Sequence, residues 1–240
     1  MKSRKKSVGD GISMQNASWS FGGDTAKNFA EHVERSVPLY KDGHELVCQI
    51  SDFFVKDDSV CYELGVSVGD LIKKLANHHS DKNARFIGVD CEEPMIEEAK
   101  KNIAGNPKIE LITDDISVFS FEKCDLMVSY YVIQFIHPKI RQELYRTIYN
   151  SLNWGGALLL FEKTRGPDAR FQDIITAVYN EYKFANGYNA DEVTAKSRSL
   201  KGVLEPFSSE GNIDLLKRAG FKDIMCVMKY ICFEGFLAIK

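Results

Sequence analysis

The 240-residue chain lacks most of the signatures from which a function is read directly. No apolar run is long enough to cross a bilayer and no basic-then-apolar leader is present, so a cytoplasmic protein without membrane attachment is expected. The six cysteines, Cys48, Cys61, Cys91, Cys124, Cys226 and Cys232, include no Cys-x-x-Cys pair. Most lie in apolar or strand-like runs, the pattern of reduced thiols. Five histidines, of which His78 and His79 are adjacent, show no His-x-x-x-His spacing, and no metal is expected. Nothing follows the Gly-x-x-x-x-Gly-Lys-Ser pattern, which removes the phosphate cradle of that loop. Charge of one sign is also lacking: the net charge is -3 and the pI near 6, which gives no global attraction for nucleic acid. The basic start, Met1 to Lys6, reads as a solvated terminus. There is no internal repeat and no low-complexity segment.

What remains is ordinary globular composition, 44% apolar and 27% charged, in a length that suits one α/β domain with an appendage. The chain is organised around Val60 to Gly69, where apolar residues run into Glu63-x-Gly65-x-Ser67-x-Gly69 and then into the helical spacing of Asp70 to Leu75. This is a buried strand, a tight turn and a helix start. Gly65 and Gly69 let the backbone approach a ligand, and the helix beyond offers free N–H groups. About 20 residues on, Arg85 to Asp90 is a second short strand ending in a carboxylate, the position from which open α/β sheets hold a ribose diol. With no pyrophosphate clamp, a nucleoside without phosphates fits best, and Glu63 suits its cationic end. S-adenosylmethionine is the expected cofactor. A structural turn with solvated acids has the same spacing.

Strands and helices alternate through residue 162: strands at Ile109 to Ile112, Asp125 to Ser129 and Gly155 to Glu162, and helices at about His44 to Phe54, Pro94 to Ile103 and Pro138 to Leu152. The expectation is an α/β, Rossmann-like, doubly wound and mostly parallel seven-stranded sheet. An antiparallel hairpin, Ile224 to Lys229 with Ile231 to Ile239, closes the sheet, and a helical arm is inserted at about 170–208. Residues 1–43 form an aromatic leader that either covers the site or packs on the domain, and 44–240 form the domain itself. At the carboxyl ends of the strands, where such sheets bind ligands, stand Gly65, Asp90, Asp115, Tyr130, Tyr131, Gln134 and Glu162. Asp115 and the Ile116 N–H suit an adenine edge, or Asp115 caps a helix.

With these residues in view the chain resembles class I S-adenosylmethionine-dependent methyltransferases, and within them it is similar to the carboxy-S-adenosyl-methionine synthase family, which serves tRNA wobble-uridine modification. The resemblance rests on Trp19 to Phe21, Arg35 to Tyr40, Glu63 to Gly69, Gln134-Phe135, Leu152 to Leu158, Glu162-Lys163 and Asn186-Gly187-Tyr188, with Trp154 where proline is usual. It implies that Tyr40, Gly65, Val66, Ser67, Asp90, Cys91, Asp115 and Ile116 line the cofactor site, and that the chain is a homodimer. Two positions depart from the family: Tyr130 replaces an asparagine, and Ser197 replaces an arginine that pairs with the product carboxylate, with Arg198 one place along.

The first expectation is an S-adenosylmethionine-dependent methyltransferase for a small-molecule acceptor, with nucleic acid not favoured. Tyr130, Tyr131, Glu162 and Tyr188 are the candidate catalytic side chains, with Tyr40 and Trp19 as walls and Arg198 for an anionic substrate group. Each tyrosine is equally at home as ordinary core. The alternative is the synthase reaction, with a carboxylate donor such as prephenate. A third reading is a silent cofactor-binding subunit.

Overall fold

The computed structural model describes residues 6–7, 13–14, 17 and 29–240. A short antiparallel pair, β1 (Lys6–Ser7) and β2 (Ser13–Met14), precedes helices α1 (Phe29–Ser36) and α2 (Tyr40–Ser51). The alternating units follow: β3 (Val60–Leu64), α3 (Asp70–His78), β4 (Arg85–Asp90), α4 (Glu93–Ile103), β5 (Ile109–Thr113), β6 (Cys124–Tyr130), a 3-10 turn (Ile133–Phe135), α5 (Pro138–Ser151) and β7 (Leu152–Lys163). The arm is α6 (Ala169–Ala185) and α7 (Ala190–Ser199), and α8 (Ser209–Ala219), β8 (Asp223–Tyr230) and β9 (Phe233–Ile239) complete the domain.

The sheet has seven strands in the order β5-β4-β3-β6-β7-β9-β8, as the alternation implied. β3 to β7 are parallel, and β9 runs antiparallel to both β7 and β8. After β5 the chain crosses to the far side of β3, so the loops after β3, β4 and β6 open on one crevice. Strand residues alternate between two cores, because successive side chains of a strand point to opposite faces. Cys61, Phe86, Leu126, Val128, Leu159 and Phe161 face α2, α3 and α4, whereas Tyr62, Leu64, Ile87, Met127, Leu158 and Leu160 face α5 and α8. Both faces are covered, so these strands are apolar on both sides.

Two elements differ from the expected bounds. α2 begins at Tyr40 rather than His44, directly after Leu39 in the left-handed region at φ 56°, and it crosses the boundary expected at residue 43. Gly43 hides this start in the sequence, since glycine disfavours helix. It is there for space: a Cβ at Gly43 would lie 2.1 Å from the Tyr130 hydroxyl. The closing hairpin turns at Ile231-Cys232 instead of at Tyr230. The turn is unmarked by polar residues because Cys232 is buried and its carbonyl accepts from the Thr164 N–H at 2.7 Å. No helix among the described residues is long and apolar enough to cross a membrane.

Candidate functional site

A cavity of about 300 Å³ opens at the carboxyl ends of β3, β4 and β6. Its floor is the turn after β3. Gly65 has φ +73°, and a Cβ there would fall 2.5 Å from Val132 Cγ2, so only glycine lets the two loops meet. Gly69 stands just behind, its N–H donating to the Val66 carbonyl at 2.9 Å as α3 begins.

The next loop supplies Asp90. One carboxylate oxygen accepts from the Ser67 N–H at 2.8 Å and the other from the Glu92 N–H at 3.0 Å. These bonds lock the carboxylate while burial pushes its pKa up. Asp115 and Ile116 form the adjoining wall. One Asp115 oxygen accepts from the Ser117 N–H at 2.8 Å, and the other accepts no hydrogen bond among the described residues. Asp115 therefore caps its turn and also lines the cavity.

Glu63 sits at the end of β3, 5% exposed, and accepts a bond from the Ile72 N–H in the first turn of α3. Burial raises its pKa well above the carboxylate range, and its Oε2 has no hydrogen-bond partner among the described residues. A buried, unsatisfied carboxylate oxygen beside a cavity is a receptor for a ligand cation. The set fits S-adenosylmethionine: a glycine floor, a fixed acid for a diol, an acceptor and the Ile116 N–H for an adenine edge, and Glu63 for positive charge.

The far wall is aromatic. The Tyr130 hydroxyl donates to the Tyr40 carbonyl at 2.7 Å, and Tyr131 follows in the left-handed region at φ 63°, its buried hydroxyl without a partner among the described residues. Burial raises the pKa of both phenols, which keeps them protonated and makes them donors rather than bases. Gln134 joins this wall to β7, its Oε1 accepting from the Lys163 N–H at 2.7 Å.

Of the residues expected at the site, Tyr40, Glu63, Gly65, Val66, Ser67, Asp90, Cys91, Asp115, Ile116, Tyr130, Tyr131 and Gln134 line the cavity. Glu162 does not. It is 2% exposed under the 131–136 loop, accepts from the Gln134 and Ile133 N–H groups, and burial pushes its pKa up to about 8 against the opposing pull of Arg141. Tyr188 stands behind the wall, its hydroxyl 2.8 Å from Ser36 Oγ. Arg198 is exposed and away from the cavity, and its carbonyl accepts from the Ala17 N–H at 3.0 Å. Trp19 lies outside the described residues.

Two lysines, and not the expected Arg198, stand as cations in this wall. Lys163 Nζ lies 4.4 Å from the Tyr179 ring centroid and 5.9 Å from that of Phe233, with no carboxylate in ion-pair range among the described residues. Lys196 Nζ is 2.8 Å from His32 Nε2, hydrogen-bonds Ser36 Oγ, and sits 5.3 Å from the Tyr188 ring centroid. Burial lowers the pKa of both, and Lys183, whose Nζ lies 4.5 Å from the Tyr179 ring centroid, adds to the effect on Lys196. Lys163 was visible only as the second residue of the Glu162-Lys163 match. Lys196 carried no signal, because the arm aligns it by tertiary packing.

This arrangement agrees with the relatives. Residues 62–156 match the family described as Methyltransferase domain. The chain is 37% identical over 223 residues to a carboxy-S-adenosyl-L-methionine synthase of Staphylococcus epidermidis, covering 92% of this chain and 97% of that protein. It is 33% identical to one from Campylobacter lari, over 92% and 94% of the two chains. A solved putative S-adenosyl-L-methionine-dependent methyltransferase of Methanococcus maripaludis superposes with a TM-score of 0.62 at 21% identity, over 95% of this chain and 97% of that one. Human N-acetylserotonin methyltransferase, solved in complex with SAM, gives 0.62 at 17% identity, over 90% and 56%. The chain is thus an S-adenosylmethionine-dependent transferase with the methyltransferase fold. More narrowly, it belongs to the carboxy-S-adenosyl-L-methionine synthase family.

Two outcomes are expected. Asp90→Ala weakens S-adenosylmethionine binding by about 10- to 100-fold in calorimetry, the loss of a charged hydrogen-bonding partner, whereas Arg198→Ala leaves it unchanged; equal affinities for wild type and Asp90→Ala would remove Asp90 from the site. Glu162 takes up a proton on folding between pH 4.5 and about 8, so its raised pKa makes stability fall with rising pH across that window. Denaturant midpoints of Glu162→Gln should lack this component, which in the wild type reaches about 1.4 kcal/mol per pH unit at most.

Proposed function

We propose that the chain makes carboxy-S-adenosyl-L-methionine, joining the carboxyl group of a carboxylate donor such as prephenate to the sulfonium methyl, in support of tRNA wobble-uridine modification. The observation that carries this reading is the pair of lysines in the cavity wall, Lys163 and Lys196. Ammonium groups next to a sulfonium are unfavourable for a neutral methyl acceptor, since like charges repel strongly where water is excluded. An anionic donor removes the conflict, and so does a product whose former methyl carries a carboxylate. Family membership supports the same activity.

Bound S-adenosylmethionine would supply an electron-poor methyl: as the donor's carbon–carboxyl bond breaks and its ring becomes aromatic it would release carbon dioxide and hydroxide, the hydroxide would leave as water with one methyl proton, and the freed electron pair on the methyl carbon would bond to the carbon dioxide. The protein's work is placement. Asp90, Asp115 and the Gly65 turn hold the nucleoside, Glu63 offsets positive charge, and Tyr130, Tyr131 and Phe233 exclude water around the reacting carbon. Lys163 and Lys196 orient the carboxylate. They take over the task of the family arginine, whose register falls on Ser197, because Arg198 is turned away. Their lowered pKa values sharpen the response: each ammonium is favoured when an anion is present to neutralise it.

The test is mass spectrometry of small molecules released from freshly purified protein, repeated after incubation with S-adenosylmethionine and prephenate. The expected product is heavier than S-adenosylmethionine by one carboxyl group, and Lys163→Met or Lys196→Met lowers its yield by about tenfold or more while leaving binding of S-adenosylmethionine intact. Methyl transfer to another acceptor without this product would return the chain to the plain methyltransferases. Binding without any turnover would make it a silent subunit.

The protein is further read as a cytoplasmic homodimer. Its six cysteines are all free, in keeping with a reducing compartment. Phe171, Ile174 and Val178, each about half exposed, recur along α6 at the three-and-four spacing of one helix face. Sedimentation should give a dimer that Ile174→Glu with Val178→Glu converts to monomer; a monomeric wild type would end this reading.

A further inference from the structure

The end of the sheet opposite the cavity holds a cluster that has no part in the site described above. α3 begins with Asp70 at the cavity and ends with His78 at the other edge, where Asp52 follows the last residue of α2. Asp52 Oδ1 lies 2.8 Å from His78 Nε2. His79, 2% exposed, presents its ring at 89° to that of His78 with centroids 4.9 Å apart. One donor atom from each of Asp52, His78 and His79 lies within 4.8 Å of the other two.

Ser51 fixes the buried member. Its Oγ is 2.6 Å from the Cys48 carbonyl and 2.7 Å from His79 Nε2. A hydroxyl has one proton and a carbonyl can only accept, so that proton goes to Cys48 and the Oγ lone pair takes the Nε2–H of His79. In the neutral ring Nδ1 is then the nitrogen with a lone pair. Imidazoles that ligate metals are held in this way, one nitrogen on the ion and the other donating to an outer acceptor.

We propose that Asp52, His78 and His79 bind one divalent transition-metal ion of the zinc class. Two imidazoles and a carboxylate are ligands that zinc accepts, with a remaining position left to water at this exposed edge. Zinc bonds of about 2.0 to 2.2 Å in tetrahedral geometry set ligand atoms roughly 3.4 Å apart, so Asp52 and His78, now 2.8 Å apart, must part slightly to admit the ion. The side chains of His78 and Asp52, 35% and 56% exposed, have the freedom to swing toward the anchored His79. The ion then joins the C-terminal end of α2 to that of α3. Its effect is on the stability of this helix pair, since the reacting centre lies at the other end of α3.

Zinc titrated into metal-free, untagged protein should bind at one ion per chain, by calorimetry, and raise the thermal midpoint. Cobalt in its place should give d–d absorption without a thiolate charge-transfer band. His78→Ala and Asp52→Asn, both at exposed positions, should each weaken binding by about tenfold or more while keeping the metal-free thermal midpoint. The proposal is overturned by a wild type that takes up no stoichiometric zinc, by unchanged uptake in both variants, or by a thiolate band, which would put the ion on the exposed thiols of Cys91 or Cys226.

Discussion

The site depends on one steric constraint, the closeness of the Gly65 backbone to Val132. That contact brings the turn after β3 against the loop after β6, and any side chain at residue 65 would force them apart. Because β3 is paired in parallel with both β4 and β6, the same register carries Asp90 up to the Ser67 N–H and sets Tyr130 and Tyr131 along the opposite wall. The crevice follows from strand order, and its depth from a missing Cβ.

Charge divides the cavity. Glu63, Asp90 and Asp115 stand on the side of β3 to β5, and Lys163 and Lys196 stand on the side of β7 and the arm. Lys163 has no carboxylate in ion-pair range among the described residues, and Lys196 is held by His32 and Ser36. Both rest instead on aromatic faces, which tolerate a cation without neutralising it. A carboxylate arriving there meets positive charge in a poorly hydrated space, where the attraction is stronger than at the surface. Glu162 lies under this wall, holding the 131–136 loop through the N–H groups of Ile133 and Gln134, so it acts on the position of Gln134 and Lys163 and not on the ligand.

Much of this was legible in the chain. The sheet, its closing hairpin, the arm and many of the residues that line the cavity follow from local patterns, because a glycine turn or a strand-end acid acts where it stands in the sequence. The expectations drawn from distant residues fared differently. Arg198, one place from the family arginine, looks inward in a register count, yet the phase of α7 turns it to solvent and buries Lys196 instead. Glu162, at a strand end like Asp90, is covered because β7 lies one strand further from the crevice and the 3-10 turn folds over it. The contact of His78 with Asp52 left no trace in the sequence for the same reason, Asp52 standing 26 residues upstream, just past the end of α2.

The sequence by itself determined the alternation of elements, the fold class and the nucleoside cradle, all of which depend on hydrophobic period and on residues within a few positions of one another. Only the tertiary structure decided which cations line the cavity, which acid is buried beneath its wall and which histidine meets a distant carboxylate. Those outcomes depend on the rotation of a helix about its axis and the approach of segments far apart in the chain, and a side chain's facing is set by packing that no local pattern records.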